Sequence, residues 1–330
     1  MLSNLNHTKL KLSIIVAAYN VAEFIEKCIV SCLQDGGGAA YEIVVVNDGS
    51  TDNTAEILKQ LETKHPLLKV VNQPNSGLGA ARNTGLKHSS GEYIWFIDGD
   101  DYLHENVLSG IINKTTTDDL DVLILNYAVV DENYNVLDQH HNEVQIDGII
   151  TGGAYYETHF SKSYTWMFVF KKAIFTKNDL AFKERINMQD SEILPKIMYH
   201  TNRLASHDLV CYYYVQQANS FTNSANGAKR YKYFESIIAV GHSLQQFLHE
   251  NDNPQIASGI EKKLQSLNHI IFNHLLYFKY DSEWLRKIIA LLKSNEFYPL
   301  KHQVSGKNKL LKAGLNHFPV FTKSIIDSVR

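Results

Sequence analysis

Short runs in which almost every residue is apolar recur along the first 125 positions: LSIIVAA (12–18), EIVVV (42–46), LKVV (68–71), YIWFI (93–97) and DVLIL (121–125). Runs of this length without polar alternation predict strands covered on both faces, as in a parallel sheet with helical crossovers. The intervals suit helices. Between the second and third runs, STDNTAEILKQLETKH offers Ser, Thr, Asp and Asn as capping candidates and then sets Ile57, Leu58 and Leu61 on one face. Residues 126–160 lose the pattern, and order returns in SYTWMFVFKKAIF, NMQDSEILPKIMYH and LVCYYYV. Beyond about residue 226 the pattern is helical, as in YFESIIAVGHSLQQFLHE. The expected fold is α/β, a mainly parallel sheet flanked by helices over residues 1–225, followed by a helical region over 226–330. The first domain divides into halves of about 10–125 and 126–225.

Polar residues gather where the predicted strands end. Tyr19 and Asn20 follow the first, Asn47 and Asp48 the second, and Asp98, Gly99, Asp100 and Asp101 the fourth. Each group alone is ordinary turn chemistry. Three of them on the carboxyl edge of one open sheet point to a ligand site. The adjacent carboxylates of Asp98, Asp100 and Asp101 repel one another unless exposed, protonated or neutralised by a cation. Mg²⁺ or Mn²⁺ takes one or two carboxylates together with water and phosphate oxygens, a combination that suggests a nucleoside diphosphate.

Composition narrows the partners. A chain of 330 residues, 44% hydrophobic and 20% charged, is a soluble globular protein, and no run of 18 apolar residues supports a membrane span. A net charge of −3, with no basic stripe among aromatics in the first 300 residues, argues against nucleic acid. Cys28, Cys32 and Cys211 make no disulfide framework, and with no signal-peptide pattern at the N-terminus the expected location is cytoplasmic. Cys28 and Cys32 stand one helical turn apart, but no further Cys or His completes a zinc set, which favours packing. His140 and His141 likewise lack a carboxylate or Cys at ligand spacing, which favours a solvated loop. The final thirty residues hold Lys301, Lys307, Lys309, Lys312, Lys323 and Arg330 against the single acid Asp327, interleaved with Leu, Phe and Ile. That composition suits a solvated basic helix or peripheral contact with the inner face of a membrane.

The set SIIVAAYN, VVVNDGSTDNT, NSGLGAARNTGL and GEYIWFIDGDD resembles the family 2 glycosyltransferases of the GT-A fold, of bacterial cell-surface polysaccharide type. The likeness is clearest over residues 12–103 and continues to about 223. It implies a nucleotide-sugar donor, with UDP expected. Ala17 and Tyr19 would line the base pocket, and Asp48 would accept the imide N–H of uracil, with Asn47 in place of the commoner aspartate. Gly77 and Gly99 would let backbone pass close to the ligand, and Arg82 would approach the diphosphate or brace the acidic loop. Asp98 would face the ribose or sugar and share with Asp100 the Mn²⁺ or Mg²⁺ of a DxD motif, while Asp101 would support them.

In the same resemblance, a carboxylate opening a later helix takes the proton of the attacking acceptor hydroxyl, and NMQDSEIL puts Asp190 there, with Gln189 replacing the usual Glu. Asp190 as base implies inversion at the anomeric carbon; the alternative is a carboxylate that satisfies the N–H groups of its own helix. Trp166 would be an acceptor platform or a core residue. Processive relatives carry Gln-x-x-Arg-Trp and membrane spans, whereas YVQQANSFTNS has no Arg-Trp, so addition of a single sugar to a glycan or lipid-linked acceptor is expected.

Three rivals remain to be weighed. Dinucleotide binding is disfavoured because AAYN, not a glycine-rich turn, follows the first strand, and GLGAAR places Arg82 where a third glycine belongs. A phosphatase would want its D-x-D loop after the first strand, not the fourth. A silent sugar-nucleotide or glycan-binding scaffold is favoured by Gln189 and disfavoured by the joint presence of Asp48, Asp98, Asp100 and Asp190.

Overall fold

Nine strands form one sheet in the computed structural model, which describes residues 10–38, 40–138, 145–217, 227–301, 304, 306 and 308–328. The strands are β1 (Leu12–Ala18), β2 (Tyr41–Asn47), β3 (Leu68–Asn72), β4 (Tyr93–Asp98), β5 (Tyr102–Leu103), β6 (Val122–Val130), β7 (Val136–Asp138), β8 (Phe168–Lys171) and β9 (Leu204–Val215). They are ordered β3-β2-β1-β4-β8-β6-β9-β5, with β7 on β6. The first four are parallel neighbours. Every residue of β1 is buried, as are Tyr93–Ile97 of β4, which is why their sequences show no alternation.

The far half departs from a simple parallel series. The antiparallel strand β8, with the apolar sequence Phe-Val-Phe, is inserted between β4 and β6. The fifth predicted strand is longer than its apolar core, because β6 continues to Val130 to pair along β9.

Helices α1 (Ile25–Cys32), α2 (Thr54–Lys64), α3 (Leu78–His88) and α4 (Leu108–Thr117) fill the first half. In α2, Leu58 and Leu61 are buried and Ile57 partly so, while Asp52 Oδ1 accepts the Thr54 N–H at 3.0 Å. Then come α5 (Gly152–His159), α6 (Ala173–Lys177), α7 (Gln189–Tyr199), α8 (Gly227–Glu250), α9 (Pro254–Tyr277), α10 (Ser282–Ser294), α11 (Asn308–His317) and α12 (Pro319–Ser328).

The chain divides into two compact units. Met1–Tyr155, Ser163–Arg185 and Lys196–Ala218 form the first, which contains the sheet; Tyr156–Lys162, Ile186–Pro195 and Asn219–Arg330 form the second. The second unit has its own core, with Phe234, Ile260, Leu267, Phe272 and Ile288 buried. Helix α9 opens with Pro254 after Asn253, whose side chain accepts the Gln255 and Ile256 N–H groups, an ordinary capped start. Among the described residues no helix is long and apolar enough to cross a membrane.

Candidate active site

Strand register brings the polar loops to one level. Ala17 lies opposite Asp98, Ala18 opposite Asn47 and Asn47 opposite Asn72, so β1, β2, β3 and β4 release their loops at the same carboxyl edge. The Gly99 N–H donates to Ala17 O at 3.0 Å. A Cβ on Gly99 would meet that oxygen at 2.9 Å, so glycine is what lets the acidic loop lie against β1. The loops after β1 and β2 are laced together: Asn20 N–H donates to Ser50 Oγ, Thr51 N–H to Asn20 Oδ1 and Ala22 N–H to Asp52 Oδ2. Tyr19 stands at this rim with its ring about half exposed.

Asp48 is buried and organises the next loop. Its Oδ1 accepts Gln73 Nε2 at 2.7 Å and Ser76 N–H at 2.9 Å, and its Oδ2 accepts Gly77 N–H at 2.8 Å. Gly77, at φ +89°, takes a left-handed conformation open to glycine and leads directly into α3. Asn47, buried beside it, donates from Nδ2 to Asn72 Oδ1 at 2.8 Å and accepts Ser50 N–H.

Helix α3 carries Arg82 into the interior, where Nη2 donates to Asp98 Oδ1 at 2.9 Å and the guanidinium lies 5.3 Å from the Phe182 ring centre. Arg82 is thereby paired with the acidic loop. Asp98 keeps about a quarter of its side chain in water. Asp100 accepts Gln217 Nε2 at 2.9 Å, and burial together with the charge of Asp98 pushes its carboxyl up to about 6. Asp101 is buried deeper: Tyr212 Oη and the Val215 N–H both donate to it, tying the loop to β9. Burial and then the charges of Asp100 and Asp98 hold its carboxyl well above the usual range. Gln73, Gln217 and Tyr212 were not singled out by the sequence, since their partners lie 25, 117 and 111 residues away.

Trp166 lies among core aromatics. It is 4% exposed and stacks on Tyr212 at 4.5 Å, with Tyr164 at 5.2 Å and Tyr214 at 5.9 Å nearly parallel to it and Tyr127 edge-on. Of this group Tyr164 and Tyr214 are the rings that reach solvent. The Tyr214 hydroxyl is raised to about 12 by burial and then by the charges of Asp101 and Asp100, which places it beside the acidic loop.

Asp190 belongs to the second unit, in the first turn of α7, partly buried, with Gln189, Ser191 and Glu192 buried around it. Glu192 accepts Ser243 Oγ. The ammonium of Lys263, on α9 in the same unit, is lowered to about 8 by burial, with the charge of Asp190 opposing that fall. Cys28 and Cys32 are free and buried in α1, and Cys28 Sγ approaches Asp98 O at 3.7 Å. Among the described residues no group of three or more His, Cys, Asp or Glu is arranged to hold a metal. His140 and His141 lie outside the described residues.

A parallel half-sheet that presents its loops at one carboxyl edge, extended by an antiparallel strand and closed by helices, is the architecture of the GT-A glycosyltransferases. The chain belongs to glycosyl transferase family 2, whose model matches residues 13–180. It is 26% identical over 245 residues to the uncharacterized glycosyltransferase YibD of Escherichia coli (strain K12), covering 72% of this chain and 70% of that protein. S. aureus TarS 1-349, crystallised in complex with UDP-GlcNAc, superposes with a TM-score of 0.69 at 21% identity, over 97% of this chain and 91% of that one. The mannosyltransferase PcManGT of Pyrobaculum calidifontis, in complex with GDP-Man and Mn²⁺, gives a TM-score of 0.55 at 18% identity over 96% and 84% of the two chains.

Proposed function

We propose that the chain moves a single sugar from UDP to a hydroxyl of a glycan or lipid-linked acceptor, with inversion, in assembly of a cell-surface polysaccharide or related glycoconjugate. The observation that carries the reading is the convergence of Asp48, Arg82, Asp98 and Asp100 at the carboxyl edge of β1, β2 and β4. An ionised carboxylate has about four acceptor positions. Three on Asp48 are filled by Gln73, Ser76 and Gly77, which leaves a place for the imide N–H of uracil, with the Tyr19 ring at the rim to stack on the base. The bound nucleotide of TarS is in keeping with uridine; that of PcManGT makes guanosine the alternative to test.

The donor set at the acidic loop fits a hard divalent ion. Burial beside another carboxylate raises the Asp100 carboxyl to about 6, a penalty on its charged form that a cation relieves. Asp98 and Asp100 would hold Mn²⁺ or Mg²⁺, with water and diphosphate oxygens completing the shell, and the ion would supply neutralisation of the departing diphosphate's charge. Asp190 takes the proton of the acceptor hydroxyl as its oxygen bonds to the anomeric carbon and the bond to the diphosphate oxygen breaks. Tyr164 and Tyr214, rather than Trp166, present rings on which a sugar can pack.

The deciding experiment is calorimetry of UDP and GDP with and without Mn²⁺, on wild type and Asp100→Ala. Tight UDP binding that needs both Mn²⁺ and Asp100 supports the donor site. Absence of binding to either nucleotide under any metal overturns it.

A further inference from the structure

The last helix carries its charge inward and an uncharged, partly apolar face outward. On α12 the exposed positions are Phe321, Ser324, Ile325 and Ser328, spaced i, i+3, i+4 and i+7, a single face that carries no charge. The two charged residues of α12 lie elsewhere: Lys323 is buried and its Nζ meets Asp327 Oδ1 at 2.6 Å. Phe318, at the junction of the helices, continues the face. Phe318 and Phe321 are each 68% exposed and Ile325 49%, while Leu310, on the outer side of α11, reaches 79%. The inner sides are well packed. Leu315 and Ile326 are buried, and a Cβ on Gly314 would come within 2.7 Å of Thr322 Oγ1, so the helices abut closely and hold these side chains outward.

Isolated exposed apolar residues need no explanation, but a charge-free face of two phenylalanines and an isoleucine does. The sequence leading into it is cationic. Lys301 and Lys309 are exposed and Lys312 is partly so, and the one acid of residues 301–330, Asp327, is already engaged by Lys323. We infer that α11 and α12 form a docking face for an anionic lipid bilayer, on which Phe318, Phe321 and Ile325 enter the headgroup boundary and the exposed Lys301 and Lys309 of the same basic segment meet lipid phosphates. A second copy of this chain would set like charges against each other across the same face, which disfavours self-association. The face belongs to the second unit and is independent of the donor site, so the two readings stand or fall separately.

The test is co-sedimentation of the full chain with vesicles of phosphatidylcholine alone and of phosphatidylcholine mixed with phosphatidylglycerol. Wild type should pellet with the mixed vesicles only and be released by salt. The double variant Phe321→Ser/Ile325→Ser should bind at least about tenfold more weakly, since each buried apolar side chain contributes strongly to interfacial binding. Both changes fall at exposed positions, and an unchanged melting curve and elution volume of the variant would show that the fold is intact. Equal pelleting of the two proteins, or no pelleting of wild type with either vesicle, overturns the inference. So does size-exclusion chromatography showing a wild-type dimer that the variant dissolves without any lipid binding.

Discussion

Arg82 Nη2 lies 2.9 Å from Asp98 Oδ1, and of this pair the arginine alone is fully withdrawn from water. The acidic loop is thus held from behind by a cation before any ligand arrives. Removing one member of a buried pair typically costs about 3–5 kcal/mol; with Asp98 a quarter exposed, Arg82→Met should cost about 2 kcal/mol in a urea melt. It should also weaken nucleotide binding. A variant that melts like wild type would mean that the ion pair does not brace the loop.

Asp100 sets an acid limit. Its folded-state value of about 6 lies above the ordinary 3.8, so the folded protein binds more protons between those values. The stability contributed by this group is therefore present below about 4 and lost as pH rises through 6. Cation-dependent nucleotide binding runs the other way, because a metal needs the ionised carboxylate. Affinity for UDP with Mn²⁺ should climb by up to about tenfold per unit below 6 and level off above it, as a calorimetric pH series would show. Asp100→Asn should flatten that limb.

The aromatic stack separates stability from binding. Trp166→Ala removes a buried ring and should cost about 3–5 kcal/mol. Tyr164→Ala, at a half-exposed ring, should change the melt by less than about 1 kcal/mol while raising the acceptor KM several-fold. Steady-state kinetics on this one variant, beside its melting curve, decide whether the platform is assigned to the right ring.

Lys263 sets an alkaline limit. It loses its proton near pH 8 in the folded state against an ordinary 10.5, so the unfolded chain binds more protons between 8 and 10.5 and the stability contributed by this group rises across that window. Transfer should fall as pH rises through about 8, where folded Lys263 loses the positive charge that acts on Asp190. Activity lost while the melting temperature holds would separate this effect from unfolding. Lys263→Met should lower transfer at neutral pH and abolish the alkaline limb.

Much of the first unit was legible because its strands are buried on both faces: LSIIVAA coincides with β1, β3 and β4 run one residue past their predicted ends, and β2 is one residue longer at each end. The place of β8 was not legible, since insertion between β4 and β6 depends on pairing partners far along the chain, not on local pattern. The same holds within the site. Asp48, Asp98 and Asp100 stood out by type and position, but the Gln73 amide that occupies Asp48 and the Gln217 amide that occupies Asp100 are residues with no local signature. Trp166 stays open in sequence between platform and core, because an aromatic run cannot tell which of its rings the tyrosines of β9 will cover.

The stack described above also makes the protein its own optical probe. Tyr212, whose hydroxyl is bonded to Asp101, lies flat on Trp166, and the indole N–H of Trp95 donates to Trp166 O at 2.9 Å. Two of the three tryptophans in the chain are therefore wired to the acidic loop, while the third, Trp284, belongs to the other unit. A change of charge at Asp101 should reach the Trp166 indole through one hydrogen bond and one ring contact. Occupancy of the site can be followed by tryptophan emission from the unlabelled protein, with Trp284→Phe serving to remove the background.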